Sequence, residues 1–294
     1  MRHTSVKKVS GKIDSTEGNP IRYDLYTPSH FGGTLPVVMF LHGFKGFKDW
    51  GAFPDAFYEM VRSGCAVLAF NFSRNGIDRN TDTFERLDLF EKETFSQDLL
   101  DVQTVINALH NRKITSNMSE LETERIAIVG HSRGGHTAVV AAADFTEIDT
   151  LITWSAVADY EEHFTDQMKK DWEEKGYTEI VNSRTKQTMK IDRAVYDDLV
   201  KHRDQLIALN RVKKLTIPCC FIHGSLDETV PVDNTQRLFE ACPSKEKERI
   251  LINNADHTYG CSHPWEVDDL PAPFSQVIEK TVEWLETYFI RHNV

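Results

Sequence analysis

The 294-residue chain carries 34 basic against 45 acidic residues, a formal charge of −11, and 40% of it is hydrophobic. That apolar share is enough for a packed core and excludes a disordered chain. The excess of carboxylates repels phosphate backbones and anionic lipid, so neither nucleic acid nor a membrane is expected as a partner. The mixed run Lys245-Glu246-Lys247-Glu248-Arg249 does not reverse that sign locally and reads as a solvated turn.

The first residues, Met1 to Ser15, are polar, and no stretch approaches the roughly 18 apolar residues of a spanning helix. A leader is therefore not expected, and a reduced, cytoplasmic setting is the default. The cysteines (Cys65, Cys219, Cys220, Cys242 and Cys261) are odd in number and form no CxxC pair, so they read as small core residues and not as zinc ligands.

Along the chain, Val6–Asp14 and Ile21–Tyr26 alternate polar and apolar residues, as an antiparallel edge hairpin does. Pro36–Leu41 (PVVMFL) is a buried-strand run, followed by a helix over Phe53–Val61 that Ser63-Gly64 ends. Ala66–Phe72 is the next strand. Glu93–Leu109 sets Val102, Val105, Ile106 and Leu109 on one helical face. Arg125–Val129 is a strand running into Gly130, and the small apolar stretch His136–Ala143 suits a helix packed closely on a sheet. Leu151–Trp154, Pro218–Ile222 and Ile250–Ile252 supply the last strands, and Phe274–Phe289 a closing amphipathic helix. The alternation predicts an α/β fold with a mostly parallel eight-stranded sheet flanked by helices.

From Ala158 to Arg211 the rhythm breaks, and charge and aromatics (Tyr160, Phe164, Trp172, Tyr177, Tyr196) take over. A long helical crossover would account for it, but an inserted cap over the sheet's carboxyl edge accounts for it better. Residues 1–157 and 212–294 then form the core and 158–211 the cap.

Four motifs carry chemistry. Gly130-His131-Ser132-Arg133-Gly134 sits between strand and helix, the setting in which a sharp turn exposes a serine hydroxyl as nucleophile. His42-Gly43-Phe44-Lys45-Gly46 follows PVVMFL, where the backbone N–H of Phe44 pairs with that of Arg133 as an oxyanion hole. His223-Gly224-Ser225-Leu226-Asp227-Glu228 ends another strand and offers two carboxylates, Asp227 and Glu228, for orienting a base. Ala255-Asp256-His257 brings a histidine thirty residues after Asp227, with His263 as its competitor. Asp256 is too near in sequence to orient that base and reads as a loop cap. Trp154, at the end of its strand, either lines an acyl pocket or packs in the core.

With these motifs the chain resembles α/β-hydrolases of the feruloyl/cinnamoyl esterase and dienelactone-hydrolase-like group, which borders the prolyl-oligopeptidase catalytic domains. The resemblance runs from HGFKG through GHSRGG and HGSLDETVP to ADH. It implies Ser132, Asp227 and His257 as nucleophile, acid and base, with oxyanion donors at Phe44 and Arg133 and no cofactor or metal. A dienelactone hydrolase proper would carry cysteine where Ser132 stands. The function so implied is carboxylic ester hydrolysis through an acyl-enzyme, on a small ester with a small or aromatic acyl group. A homodimer is the one self-association left open. The alternatives are a peptidase or amidase related to the prolyl-oligopeptidase domain, and a ligand-binding protein that has kept the fold without turnover. The complete set of triad residue types speaks against the last. The enzymes of that domain usually carry an N-terminal propeller, which is not expected here, and turnover of short-chain aryl esters but not of dipeptidyl amides separates the two readings.

Overall fold

The computed structural model describes residues 5–114 and 121–290. Residues 1–4, the start of the polar stretch read above as lacking a leader, lie outside the described residues. In chain order the elements are β1 (Val6–Asp14), β2 (Pro20–Pro28), β3 (Leu35–Leu41), α1 (Phe53–Arg62), β4 (Ala66–Phe70), α2 (Leu87–Phe90), α3 (Phe95–His110) and β5 (Leu121–His131). There follow α4 (Arg133–Asp144), β6 (Ile148–Trp154), α5 (Asp166–Lys175), β7 (Tyr177–Val181), β8 (Thr188–Asp192), α6 (Arg193–Lys201), α7 (Arg203–Leu206) and α8 (Ala208–Arg211). The chain closes with β9 (Cys219–Gly224), α9 (Asp233–Ala241), β10 (Lys247–Ile252) and α10 (Ala272–Leu285). Among the described residues no helix is long and apolar enough to cross a membrane.

The main sheet has eight strands in the order β1-β2-β4-β3-β5-β6-β9-β10. β1 and β2 pair antiparallel at one edge, and the strands from β4 to β10 pair parallel. Parallel strands buried on both faces need apolar residues at every position, and β3 (LPVVMFL) is buried throughout. Its residues divide by parity. Val37, Met39 and Leu41 join α3 and α4 in one apolar cluster; Val38 and Phe40 join α1 and α10 in another. Helix ends follow local chemistry: the Thr94 side chain accepts from the Gln97 N–H at the start of α3, and Pro54 lies in the first turn of α1.

Three elements depart from the sequence reading. Lys247–Arg249, read as part of a solvated turn, belongs to β10, an edge strand on which polar residues face water. The Lys247 ammonium donates to the Phe239 and Cys242 carbonyls at 2.8 and 2.6 Å, which closes the end of α9. β5 begins at Leu121, earlier than the apolar run that marked it, and shifts register against β3 between Pro36 and Val37. The final helix stops at Leu285 and continues as one π-helical turn over Glu286–Ile290. The cysteines are all buried and free.

After β6 the chain leaves the sheet. Residues from Tyr160 onward build a short 3-10 turn (Tyr160–His163), α5, the antiparallel pair β7–β8 and α6 to α8 before β9 rejoins the sheet. Phe164, Trp172, Met189, Ile191 and Val195 from this stretch form a third apolar cluster with Phe47, Phe84 and Phe90. β3 has β4 on one side and β5 on the other, so the winding direction reverses at β3. Clefts open beyond strand carboxyl ends at such a reversal.

Candidate active site

Ser132 lies between β5 and α4 with φ 57° and ψ −119°, a backbone region that costs an L residue about 1–3 kcal/mol. The surrounding glycines make that turn feasible. A Cβ on Gly130 would stand 2.3 Å from the Gly134 carbonyl oxygen, and one on Gly134 would stand 2.3 Å from that of Leu41. The end of β3 therefore packs directly under the turn, and Ser132 is pushed up into a cavity of about 680 Å³.

The loop after β3 forms part of the same cavity wall, through Gly43, Phe44 and Lys45. It is held by His42, a residue the sequence marked only as part of a turn. The buried His42 ring donates from Nδ1 to the Gly43 carbonyl at 2.9 Å and accepts the Phe72 N–H on Nε2 at 3.3 Å. Burial brings its pKa down to about 4, so the ring is neutral, as that pattern of one donor and one acceptor requires. A Cβ on Gly43 would lie 2.9 Å from the Ser132 Cβ, so the loop and the turn are in close contact. Arg133 opens α4, where first-turn N–H groups have no intrahelical acceptor. Phe44 and Arg133, the residues read from the sequence as backbone donors, both line the cavity around Ser132.

At the far side, the tip of β9 and the loop after β10 are laced together. The Ser225 N–H donates to Ile252 and the Leu226 N–H to Ala255, each at 2.9 Å. A Cβ on Gly224 would come within 2.5 Å of the Ala255 carbonyl oxygen, so only glycine permits this approach. The lacing brings His257 beside Asp227. His257 Nδ1 donates to Asp227 Oδ2 at 2.8 Å, and its Nε2 stands 3.1 Å from Ser132 Oγ. Asp227 Oδ1 accepts the N–H groups of Thr229 and Val230 at 3.0 and 2.8 Å. Burial works against its charge, but hydrogen bonds from His223 and His257, with that of Val230, outweigh burial and hold the carboxyl well below the usual range.

The competing residues fall elsewhere. Glu228 is exposed. His263 lines the cavity wall, where its Nδ1 accepts the Gly51 N–H at 3.0 Å. Asp256 caps its loop, accepting from the Thr258 and Gly260 N–H groups at 3.0 and 2.9 Å. Trp154 is corrected from candidate pocket residue to core residue: it is fully buried among Phe40, Phe53 and Phe274, and its indole N–H donates to Thr281 at 3.0 Å. The strand ends with that side chain on the α1/α10 face, away from the cavity.

Two supporting histidines escaped the sequence reading. His223, fully buried, donates from Nε2 to the Val230 carbonyl at 2.9 Å and lies 3.3 Å from Asp227 Oδ2. The His131 Nε2–H donates to the His257 carbonyl at 3.0 Å, and burial, then the neighbouring His257, lower its pKa to about 3. Each sits in a motif already singled out, one residue from a catalytic candidate or at its strand end. Only the fold reveals what each ring touches. The Arg133 side chain is also committed, to Asp98 at 2.8 Å, the Glu93 carbonyl at 2.8 Å and the Phe95 ring at 4.2 Å.

Known structures share this architecture at low identity. The esterase Est1E from Butyrivibrio proteoclasticus superposes with a TM-score of 0.70 at 18% identity, over 95% of this chain and 98% of that one. An acetyl xylan esterase from Paenibacillus sp. R4 gives 0.66 at 18%, over 98% and 86%. A protein from Bacteroides ovatus described as a dipeptidyl aminopeptidase IV gives 0.68 at 14%, over 98% of this chain but 36% of that one. No curated protein matches the sequence. The model of the prolyl oligopeptidase family matches residues 87–266, more than half of the chain. The chain is a hydrolase of the α/β-hydrolase fold and belongs to the prolyl oligopeptidase family.

Proposed function

We propose that the protein is a serine carboxylic ester hydrolase working through an acyl-enzyme, on esters with small or aromatic acyl groups. The observation that carries this reading is the relay from Asp227 Oδ2 through His257 to Ser132 Oγ, with links of 2.8 and 3.1 Å at the cavity floor. Its polarity suits general-base catalysis: an Nδ1–H fixed by the carboxylate leaves Nε2 free to accept the serine proton. Ser132 Oγ attacks the ester carbonyl while His257 takes its proton. The N–H groups of Phe44 and Arg133 hold the oxyanion, and His257 protonates the departing alcohol. Water, deprotonated by His257, then attacks the acyl-enzyme and releases the acid and Ser132. Residues 158–211 act as a cap in this scheme, supplying Tyr160, Phe164 and Ile191 to the cavity wall. The likeness to Est1E, which has been solved with ferulic acid bound, supports an aromatic acyl group.

A fluorophosphonate probe tests the nucleophile: the protein should label, and Ser132→Ala should not. A folded native protein that stays unlabelled sinks the proposal. The family match also favours a second reading, peptide or amide hydrolysis by the same residues. Turnover of dipeptidyl amides at rates comparable with aryl esters would establish that reading instead.

A further inference from the structure

The cavity wall is at odds with the molecule's overall charge. Although the chain carries −11, none of the described residues lining the cavity is Asp or Glu, while Lys45, Arg133 and Arg184 all line it. Arg133 is neutralised by Asp98. Lys45 is half-buried, its ammonium 5.7 Å from the Phe44 ring centre, and burial lowers its pKa. Arg184 stands at the turn between β7 and β8, and its position is built. Its N–H and that of Thr185 donate to Asn182 Oδ1 at 2.9 and 3.2 Å. Nη1 donates to the carbonyls of Thr81 and Asp82, both at 3.1 Å. Gln187 ties the same turn to Phe84 through two hydrogen bonds, at 2.9 and 3.0 Å. A second guanidinium nitrogen, Nη2, is buried without a hydrogen-bond partner. So is His263 Nε2, which must carry the ring proton because Nδ1 accepts from Gly51. Both groups pack on one ring, that of Phe47: the guanidinium carbon lies 5.7 Å and the imidazole centre 4.8 Å from its centre. The exposed Asp82 carboxylate acts through space on both Arg184 and His263, and Asp49 acts so on His263, neither through a hydrogen bond to them.

Both residues line the cavity, and each keeps a donor nitrogen that no protein acceptor takes, in a wall whose charged side chains are all cationic. Among side chains, a guanidinium best matches the two oxygens of a carboxylate. We propose that Arg184 and His263, with Lys45 contributing charge, form an anion subsite, and that the preferred substrates are esters bearing a carboxylate in addition to the scissile bond. The substrate assignment rests on the esterase reading above. The carboxylate belongs to either the acyl or the alcohol portion, and both arms are tested.

The experiment measures binding to Ser132→Ala, which cannot turn over, by calorimetry. One pair of ligands is 4-acetoxybenzoate and its methyl ester, with the charge on the alcohol side. The other is mono-4-nitrophenyl adipate and its methyl ester, with the charge on the acyl side. In at least one pair the acid should bind tenfold or more tightly than its ester, and the pair that discriminates identifies the side. Adding Arg184→Gln should bring that ratio towards one, while Arg184→Lys, which keeps the charge, should retain part of it. Equal binding of acid and ester in both pairs, or a preference that survives Arg184→Gln, overturns the subsite. Hydrolysis of the same compounds by the wild-type protein reports separately on the esterase reading. Discrimination without any turnover leaves the subsite standing and removes the esterase.

Discussion

Asp227→Asn tests the relay at its most constrained point. Three hydrogen bonds converge on this carboxylate, from His257 at 2.8 Å, Thr229 at 3.0 Å and Val230 at 2.8 Å, and the His223 Nε2 stands 3.3 Å away. An asparagine can keep its oxygen on the two backbone N–H groups, but its amide then points N–H at His257 Nδ1. The imidazole answers by moving its proton to Nε2, and a protonated Nε2 cannot accept from Ser132. In serine proteases with this triad the equivalent substitution leaves the geometry intact and lowers kcat about 10⁴-fold. We expect a loss of the same order here, about 5.5 kcal/mol of transition-state stabilisation at 1.36 kcal/mol per decade. The assay is 4-nitrophenyl acetate turnover at saturating substrate, with circular dichroism to show that the fold survives. A second readout is stability against pH. The folded-state pKa of Asp227 is depressed, so its contribution is present above roughly pH 4, where a free aspartate is ionised, and is lost as the pH falls further. The variant should lack that acid-sensitive component. If Asp227→Asn retains kcat within tenfold of wild type, Asp227 does not set the tautomer of His257 and the relay is misassigned.

Three further substitutions separate core from site. Trp154→Phe removes the indole N–H bond to Thr281 and leaves a void between α1 and α10, so urea unfolding should show a loss of about 1–3 kcal/mol while KM for aryl esters holds. A changed KM with unchanged stability would return Trp154 to the pocket. Gly134→Ala places a methyl 2.3 and 2.4 Å from the Leu41 and His42 carbonyl oxygens, backbone atoms that cannot yield, and should cost about 3 kcal/mol or more, read as lost soluble protein or a lowered urea midpoint. Glu93 is held up at about pH 8, chiefly by burial, with Arg133 opposing. The folded protein therefore keeps a proton that the unfolded chain releases near pH 4.5, and stability should fall as the pH rises from there to about 8, by at most about 1.36 kcal/mol per pH unit. Glu93→Gln should flatten that slope in urea titrations; an unchanged slope assigns it to other groups.

The sheet was readable because burial on both faces leaves a plain mark. PVVMFL, IAIV and CCFI are unbroken apolar runs, and each ends in residues that a turn demands. β10 was blurred for the opposite reason: at an edge one face meets water, so Lys247, Glu248 and Arg249 look like a loop. The site followed the same rule. Ser132, Asp227 and His257 sit at strand ends in short motifs with their own local chemistry. Trp154 did not, because the last residue of a strand points to one face or the other by parity, and a parity is fixed only once register is known. Arg184 and His263 lie 79 residues apart and meet across Phe47 through a hairpin whose turn is held by Asn182 and Gln187. No local periodicity encodes that meeting.

Arg133 shows how position and charge part company at such a site. From the sequence it counted only as a backbone donor beside the nucleophile, and its cationic side chain invites a role in holding an anion. Instead the guanidinium is buried against Asp98, the Glu93 carbonyl and the Phe95 ring, all from α3 or the residues leading into it. A charge in such surroundings is tolerable only when fully paired, and once paired it has little field left for a ligand. What it contributes is placement. The start of α4 is pinned to the start of α3, so in the proposed mechanism the N–H of residue 133 is a preset donor that would cost no reorganisation when an oxyanion formed. The sequence neighbour of Ser132 is thereby spent on the scaffold, and in the proposed subsite the charge for a substrate comes from elsewhere in the wall, from Lys45 and Arg184.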